Sequence, residues 1–238
     1  MFFSRSSLSA IELPPLRSAP EQPTVCYVTG GREFPDPERD RLLLGQVRAA
    51  IEAGADWVQI REKHVSAKHL LELTGNAVRV ASAITPEVRI LVNDRLDVAI
   101  AAKAAGVHLG GDSVSARDIA PWCRVGNGSA DFLIGVSCHS IEEAQRAESA
   151  GADYVFFGPI FDTPSKRSFG TPQGLARLSA ACRAVNIHVI AVGGITVMNA
   201  GDCIQAGAKG IAAIRLFQDA VNKDAVREFV SQLHSLHR

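Results

Sequence analysis

Three polar side chains alternate along one short segment, and their chemical types suit the binding of a polyanion. In the sequence WVQIREK, Gln59, Arg61 and Lys63 occupy every second position. In a β-strand, alternate residues point to the same face, so an amide, a guanidinium and an ammonium would point the same way. A planar guanidinium together with a compact ammonium suits a polyanion such as a diphosphate. The alternative is that Arg61 or Lys63 forms an ion pair with Glu62 on a solvated surface.

Carboxylates follow two other apolar segments. Asn93 and Asp94 come at the end of the segment VRILVN. Asp94 either caps the helix expected near residue 95 or provides an oxygen ligand for Mg²⁺, which prefers one or two carboxylates plus substrate phosphate. Asp112, in the segment HLGGDS, is a candidate second carboxylate. His108 in the same segment is expected to pack or hydrogen-bond structurally, because its neighbours are apolar.

The segment GVSCHS contains a residue suited to proton transfer. His139 has this role because the pKa of a histidine lies near neutrality. Ser140 and Glu143 have the spacing of a capping box and predict the start of a helix. Cys138 is expected to pack rather than to act as a nucleophile, since nothing near it in the sequence marks it as activated.

Two glycine-containing loops also follow predicted strands. The longer loop, GPIFDTPSKRSFG, contributes hydroxyl groups and positive charge at Thr163, Ser165, Lys166 and Arg167. Its terminal glycines are compatible with a mobile lid, and the alternative is an ordinary surface loop. Gly193 and Gly194 follow the segment HVIAV, where the absence of side chains would let backbone N–H groups approach an anion.

These segments belong to a regular alternation of short β-branched runs and longer amphipathic stretches. Strands are predicted at 25–29, 56–61, 88–93, 106–110, 132–137, 153–158, 188–194 and 209–214. Helices are predicted at 38–53, 66–83, 95–105, 115–121, 140–150, 172–185, 196–206 and 219–237. Eight strands alternating with eight helices favour an α/β fold closed as a (β/α)8 TIM barrel, whose active sites lie at the carboxyl ends of the strands. A doubly wound open sheet is the alternative, but no GxGxxG follows the first strand. Three helix ends share a Gly-Ala turn before the next strand, at EAGADWV, ESAGADYV and IQAGAKGI.

The composition narrows the class of protein. Residues 1–23 lack a continuous apolar region and are expected to form a flexible extension, with 24–238 as a single barrel domain. The net charge of zero argues against a generic nucleic-acid or membrane-surface binder. The five cysteines show no disulfide or zinc spacing, which predicts reduced thiols in a cytoplasmic protein. A homo-oligomer is compatible with the sequence.

Six short motifs occur in one order along the chain: QIREK, ND, GVS-x-H, GPIF-x-TPSK, AVGGI and GAKGIAAI. In this order they resemble the thiamine phosphate synthase and thiazole tautomerase superfamily over about residues 24–220. For the synthase branch, the resemblance implies a transferase acting on small phosphorylated substrates. Such an enzyme condenses 4-amino-2-methyl-5-pyrimidinylmethyl diphosphate with thiazole phosphate, through a dissociative, Mg²⁺-assisted mechanism that releases pyrophosphate.

The resemblance also implies roles for individual residues. The pyrimidine diphosphate would be bound by Gln59, Arg61, Lys63, Asn93, Ser137 and Lys166. The thiazole phosphate would be bound by Thr163, Ser165, Gly193, Ile214 and Arg215. Asp94 and Asp112 would bind Mg²⁺, and the catalytic residues would be Lys166, Ser137 and His139.

Two positions depart from the synthase pattern. Ser113 stands where a second Mg²⁺-binding Asp is expected, so either Asp112 serves the metal or the site binds Mg²⁺ weakly. Arg215 stands where a small Ser is usual beside the thiazole phosphate. These departures keep the tautomerase branch as an alternative, in which His139 moves a proton without a metal, although the intact QIREK and ND motifs favour the synthase. A non-catalytic barrel that binds a thiamine precursor as a regulator is a third alternative.

Overall fold

The computed structural model describes residues 22–30, 38–125, 131–163, 171–219 and 222–236, and within them parallel strands close into a barrel. The strands are β1 (Thr24–Val28), β2 (Trp57–Ile60), β3 (Arg89–Asn93), β4 (Gly106–Leu109), β5 (Leu133–Cys138), β6 (Tyr154–Phe157), β7 (His188–Val192) and β8 (Gly210–Ala213). The helices are α1 (Arg39–Glu52), α2 (Ala67–Ile84), α3 (Leu96–Ala101), α4 (Ala116–Val125), α5 (Ile141–Ser149), α6 (Gly174–Ala184), α7 (Ala200–Gln205), α8 (Arg215–Gln218) and α9 (Lys223–His234). Each strand pairs with the next, and β8 pairs with β1. The (β/α)8 barrel predicted from the sequence is therefore confirmed.

The three repeated Gly-Ala turns have the same backbone geometry. Gly54, Gly151 and Gly207 follow α1, α5 and α7 with φ of 98°, 90° and 123°. In each turn, the next alanine donates its N–H to the carbonyl five residues earlier, over 3.0–3.1 Å. This is the Schellman motif, which ends a helix with one left-handed residue. Lys103 occupies the same place after α3 with φ of 55°, although it is not a glycine.

Two aspartates that follow these turns tie neighbouring strands together. Asp56 Oδ2 accepts a hydrogen bond of 2.7 Å from the N–H of Val25, and Asp153 Oδ2 accepts one of 2.7 Å from the N–H of Ile134. His234 of α9 also contacts Asp56 Oδ2 at 3.0 Å. The carboxylates therefore bind N–H groups at the amino ends of β1 and β5, which the sequence pattern did not predict.

The ends of some helices differ from the predicted ends. The helix predicted to reach residue 105 ends at Ala101, because the chain turns at Lys103. The helix predicted from residue 196 begins at Ala200, because the side chain of Asn199 accepts the N–H of Thr196 at 2.8 Å in a preceding turn. The short helix α8 was not predicted, and it places its first residues directly after β8.

A mostly apolar cluster fills the inside of the barrel. Residues packed there include Cys26, Val28, Trp57, Leu91, Tyr154, Phe156, Ile190 and Ala212. Since alternate residues of a strand share a face, Gln59 also points inward, two positions beyond Trp57.

All five cysteines are free. None of the helices in the described ranges combines the length and apolarity that a membrane span needs.

Candidate active site

Amide side chains meet at the carboxyl ends of β2 and β3. Gln59 is only 2% exposed, and its Nε2 donates to Asn93 Oδ1 over 3.1 Å. Asn93 Nδ2 in turn donates to Asp94 Oδ2 over 2.6 Å. Each amide is therefore held in one orientation by its neighbour. The structure brings together three of the predicted site residues from two adjacent strands.

Asp94 is directed toward the loop that follows β4. Its backbone has a φ of 62°, and its Oδ1 accepts hydrogen bonds from the N–H of Gly110, at 3.1 Å, and from the hydroxyl of Ser113. The side chain of Asp94 therefore does not cap α3, whose N-cap residue is Arg95. Ser113, which stands at the departure from the synthase pattern, contacts the carboxylate directly, whereas Asp112 is exposed.

Glu62 is directed away from the two basic residues that flank it. Its side chain is buried, accepts from the hydroxyl of Thr29 at 2.8 Å and pairs with Arg39 Nη2 at 2.7 Å. The backbone N–H of Arg61 donates to the same Thr29 hydroxyl over 2.9 Å. Among the described residues, Arg39 rather than Arg61 or Lys63 is the ion-pair partner of Glu62. The carboxylate of Glu62 therefore does not neutralise either charge of the predicted anion-binding row.

His108 links three strands inside the barrel. It is 2% exposed, with Nε2 2.9 Å from Ser137 Oγ on β5 and Nδ1 3.1 Å from the hydroxyl oxygen of Tyr154 on β6. Its ring packs on Phe156, with the ring centroids 4.2 Å apart. The prediction that His108 packs and hydrogen-bonds is confirmed. Ser137 is only partly buried and lies at the mouth of the barrel.

His139 is held at the end of β5 by backbone and side-chain contacts. Its Nδ1 donates to the carbonyl oxygen of Gly158, so this nitrogen carries the hydrogen and Nε2 is the basic nitrogen. Its backbone N–H donates to Glu143 Oε2 over 2.6 Å, and Ser140 Oγ accepts the N–H of Glu143 at 3.2 Å as the N-cap of α5. Cys138 is fully buried, and burial raises the pKa of its thiol to about 12, which confirms that it packs.

Gly193 and Gly194 lie where the loop after β6 packs against the end of β7. Their φ values are 95° and 69°. A Cβ on Gly193 would lie 2.6 Å from Pro159 Cβ, and one on Gly194 would lie 2.7 Å from the carbonyl oxygen of Asp162. Glycine is therefore needed at both positions for the loop after β6 to pack against the end of β7. The anion-binding hypothesis did not include this role.

The ends of β6 and β8 are connected through an arginine. Arg215, the first residue of α8, lies with Nη2 3.4 Å from Thr163 Oγ1. Thr163 is buried and Arg215 is exposed, so a guanidinium borders this side of the mouth. Ser165, Lys166, Arg167 and residues 1–21 of the predicted extension lie outside the described residues.

Comparison with known proteins identifies the family. The sequence profile of the family described as thiamine monophosphate synthase matches residues 26–217. The chain belongs to this family. The thiamine-phosphate synthase of Roseiflexus sp. (strain RS-1) is 37% identical over 226 residues, which are 90% of this chain and 89% of that protein. The thiamine-phosphate synthase of Chlorobium phaeobacteroides is 35% identical over 218 residues, or 92% and 99% of the two chains.

Solved structures agree with the thiamine monophosphate synthase family. A thiamine phosphate pyrophosphorylase from Pyrococcus furiosus is 28% identical, has a TM-score of 0.74, and is matched over 90% of this chain and 98% of its own. The 3-dehydroquinate dehydratase from Geobacillus kaustophilus, 15% identical with a TM-score of 0.63 over 91% and 93% of the two chains, shares the fold alone. The sequence-based preference for the synthase branch over the tautomerase branch is confirmed by the curated relatives.

Some contacts of this family member were not predicted from its sequence. They include the Arg39–Glu62 ion pair, the contact of Ser113 with Asp94, and the position of Tyr154 beside His108. In WVQIREK, Glu62 alternates with Arg61 and Lys63, so strand geometry would place it on the opposite face from them. This alternation indicates that Glu62 pairs with some other residue.

Proposed function

We propose that this chain is a thiamine-phosphate synthase that joins the aminopyrimidine diphosphate to the thiazole phosphate. The observation that carries this proposal is the oriented row from Gln59 through Asn93 to Asp94. Arg61 and Lys63 follow the end of β2 along the chain, and among the described residues Glu62 pairs with Arg39 rather than with either of them. An amide row next to two cations suits a ligand that has a polar heterocycle at one end and a diphosphate at the other. The membership of the family supports the same substrate pair.

The amides of Gln59 and Asn93, which belong to the row that ends at Asp94, would bind and orient the first substrate. Within it, Gln59 and Asn93 each use one of the two hydrogens of the amide NH₂ group. The second hydrogen of each amide is suited to a polar atom of the pyrimidine. Arg61 and Lys63 would bind diphosphate oxygens, Arg61 through a planar fork and Lys63 as a point charge.

The reaction needs charge stabilisation rather than a nucleophilic residue. The bond between the methylene carbon and the diphosphate oxygen breaks, its electron pair leaves with the diphosphate, and the electron-rich aminopyrimidine stabilises the cation. The thiazole nitrogen then bonds to the methylene carbon. Arg61, Lys63 and Lys166 would stabilise the leaving diphosphate more in the transition state than in the ground state, with Ser137 donating a hydrogen bond.

The residues around Asp94 fit a Mg²⁺ site that is completed by the substrate. No group of three or more His, Cys, Asp and Glu side chains in the described ranges could hold a metal by itself. The carboxylate of Asp94 is partly exposed, and the described residues that donate hydrogen bonds to it, Gly110, Ser113 and Asn93, are neutral, so none of them forms an ion pair with it. Mg²⁺ is commonly bound by one or two carboxylates plus substrate phosphate. When bound there, it would supply positive charge to the diphosphate.

The opposite side of the mouth would bind the second substrate. Thr163 and Arg215 lie together there, and Ile214 and Gly193 contribute backbone from the ends of β8 and β7. Phosphate sites of barrels often lie after these two strands. We place Ser165 in the same site on the family resemblance, and Arg215 as an additional fork for the phosphate.

The free cysteines are consistent with a reducing, cytoplasmic location.

The decisive assay mixes the purified protein with both precursors and Mg²⁺ and measures thiamine phosphate. Formation of thiamine phosphate with equimolar pyrophosphate is expected. Isomerisation of a thiazole carboxylate phosphate in place of condensation would assign the chain to the tautomerase branch, with His139 as the proton carrier. Binding of both precursors without turnover would instead indicate a regulator.

A further inference from the structure

We infer that Tyr154 is a positioning residue that fixes the tautomer of His108, so that Ser137 presents its hydroxyl hydrogen to the anionic substrate. The inference rests on the proposed function for the identity of the anion as a diphosphate. It concerns the residues of β4, β5 and β6 that share the interior of the barrel, immediately beneath the mouth.

The three side chains form one continuous line of hydrogen bonds. The hydroxyl oxygen of Tyr154 is 3.1 Å from His108 Nδ1, and His108 Nε2 is 2.9 Å from Ser137 Oγ. Tyr154 is 1% exposed and His108 is 2% exposed, whereas Ser137 is partly exposed. The hydrogen-bonded line therefore runs from the buried interior of the barrel to its mouth, where the substrate would bind.

The direction of these bonds follows from the tyrosine. Burial raises the pKa of Tyr154 well above the ordinary tyrosine value, so its hydroxyl keeps the hydrogen. Among the described residues, His108 Nδ1 is the only acceptor within hydrogen-bond distance of this hydroxyl. A buried donor without an acceptor is costly, so Tyr154 donates to Nδ1 and Nδ1 carries no hydrogen. In a neutral imidazole the hydrogen then lies on Nε2, which donates to Ser137 Oγ.

This direction determines what Ser137 can do. Because Ser137 Oγ accepts from His108, its own hydrogen is available for another acceptor. Hydrogen bonds that point the same way polarise one another, which makes the last hydroxyl a better donor. An anionic oxygen at the mouth, such as that of a diphosphate, is the ligand such a donor suits. With the opposite tautomer, Ser137 would donate to Nε2 and would lose this capacity.

A glycine on the neighbouring strand leaves room for the tyrosine. Gly135 pairs with Tyr154 in the register of β5 and β6. A Cβ at Gly135 would lie 2.0 Å from Tyr154 Cζ and 2.4 Å from the hydroxyl oxygen. The φ of Gly135 is not positive, so the backbone does not require a glycine here. The space is occupied by the hydroxyl end of the tyrosine, the end that contacts His108.

The test measures the tautomer and the anion affinity in separate experiments. Full-length protein carrying ¹⁵N-histidine is studied by long-range ¹H–¹⁵N spectroscopy without substrates, and His108 is assigned by its loss in His108→Gln. The wild type is expected to show hydrogen on Nε2 alone, and Tyr154→Phe is expected to show a mixture of both tautomers. Calorimetry with pyrophosphate and Mg²⁺ should then show a Kd that is about two- to tenfold higher for Tyr154→Phe, because only the fraction of molecules with hydrogen on Nε2 of His108 keeps the Ser137 donor.

Tyr27→Phe is the matched control. Tyr27 is also fully buried, and its hydroxyl contacts Gln46 at 3.0 Å and Gln218 at 3.1 Å on the outer side of the barrel wall. This variant should keep the wild-type tautomer and pyrophosphate affinity. Hydrogen on Nδ1 of His108 in the wild type would overturn the inference even if Tyr154→Phe does not fold, as would an unchanged spectrum and affinity in Tyr154→Phe. A wild type that shows the expected tautomer but makes no thiamine phosphate would contradict the proposed function alone.

Discussion

Replacing Ser113 with Asp tests whether Asp94 is the centre of a metal site. The hydroxyl of Ser113 donates to Asp94 Oδ1, so a carboxylate at this position would lie beside another carboxylate. Two like charges about 4 Å apart repel by about 1 kcal/mol in water and about 4 kcal/mol at an effective dielectric constant of 20. Both side chains are partly exposed, so the free energy of unfolding should fall by about 1–4 kcal/mol without divalent cations.

Mg²⁺ should reverse this loss, because a cation between two carboxylates removes their repulsion. Urea unfolding of Ser113→Asp is measured in EDTA and in Mg²⁺, with Ser113→Asn as a neutral control of nearly the same size. The stability of the Asp variant should rise with Mg²⁺, whereas that of the Asn variant should stay nearly constant. Equal responses of the two variants to Mg²⁺ would refute the assignment of Asp94 as the metal ligand.

Three further predictions follow from individual residues. Asp112→Asn should leave the Mg²⁺ dependence of thiamine phosphate formation unchanged, because Asp112 is exposed while Ser113 contacts Asp94. If this variant needed more Mg²⁺ than the wild type, Asp112 would be a ligand of the metal. Lys63→Ala should weaken binding of the pyrimidine diphosphate about tenfold by calorimetry, as expected for one charged hydrogen bond, and unchanged affinity would remove Lys63 from the site. Lys103→Gly should raise the free energy of unfolding by about 0.5–1 kcal/mol, since glycine adopts a positive φ without the penalty of a Cβ. Lys103→Ala, which keeps that penalty, should give no such gain in urea unfolding, and equal stability of the two variants would contradict this reason.

The alternation of strands and helices was predictable because it depends on local patterns. Apolar runs and the Gly-Ala turns appear in the sequence itself, and the glycines of those turns have the positive φ that the motif requires. The helix ends near Ala101 and Ala200 were less predictable, because they depend on how a turn forms before or after the helix. The helix α8 is too short to have a periodic pattern of its own.

The site was predictable strand by strand but not across strands. Alternation placed Gln59 inside the barrel, where it is buried against Asn93. The partner of Glu62 lies 23 residues away at Arg39, and no local pattern specifies such a pair. The same holds for Tyr154, whose contact with His108 joins residues 46 positions apart. These pairs depend on strand register and on helix placement, which exist only in the folded barrel.

Two non-glycine residues with positive φ show why strain alone does not mark a functional residue. Lys103, at 55°, lies in a helix-to-strand turn at the amino end of β4, the end of a barrel associated with stability. Asp94, at 62°, lies at the carboxyl end of β3, and three donors from Asn93, Gly110 and Ser113 converge on its carboxylate. A left-handed backbone is tolerated by Asp more readily than by most residues, but it still has a cost. The hydrogen bonds offset that cost at Asp94 and fix the carboxylate beside Asn93. The strained backbone there therefore holds a negative charge where Mg²⁺ would bind together with the diphosphate.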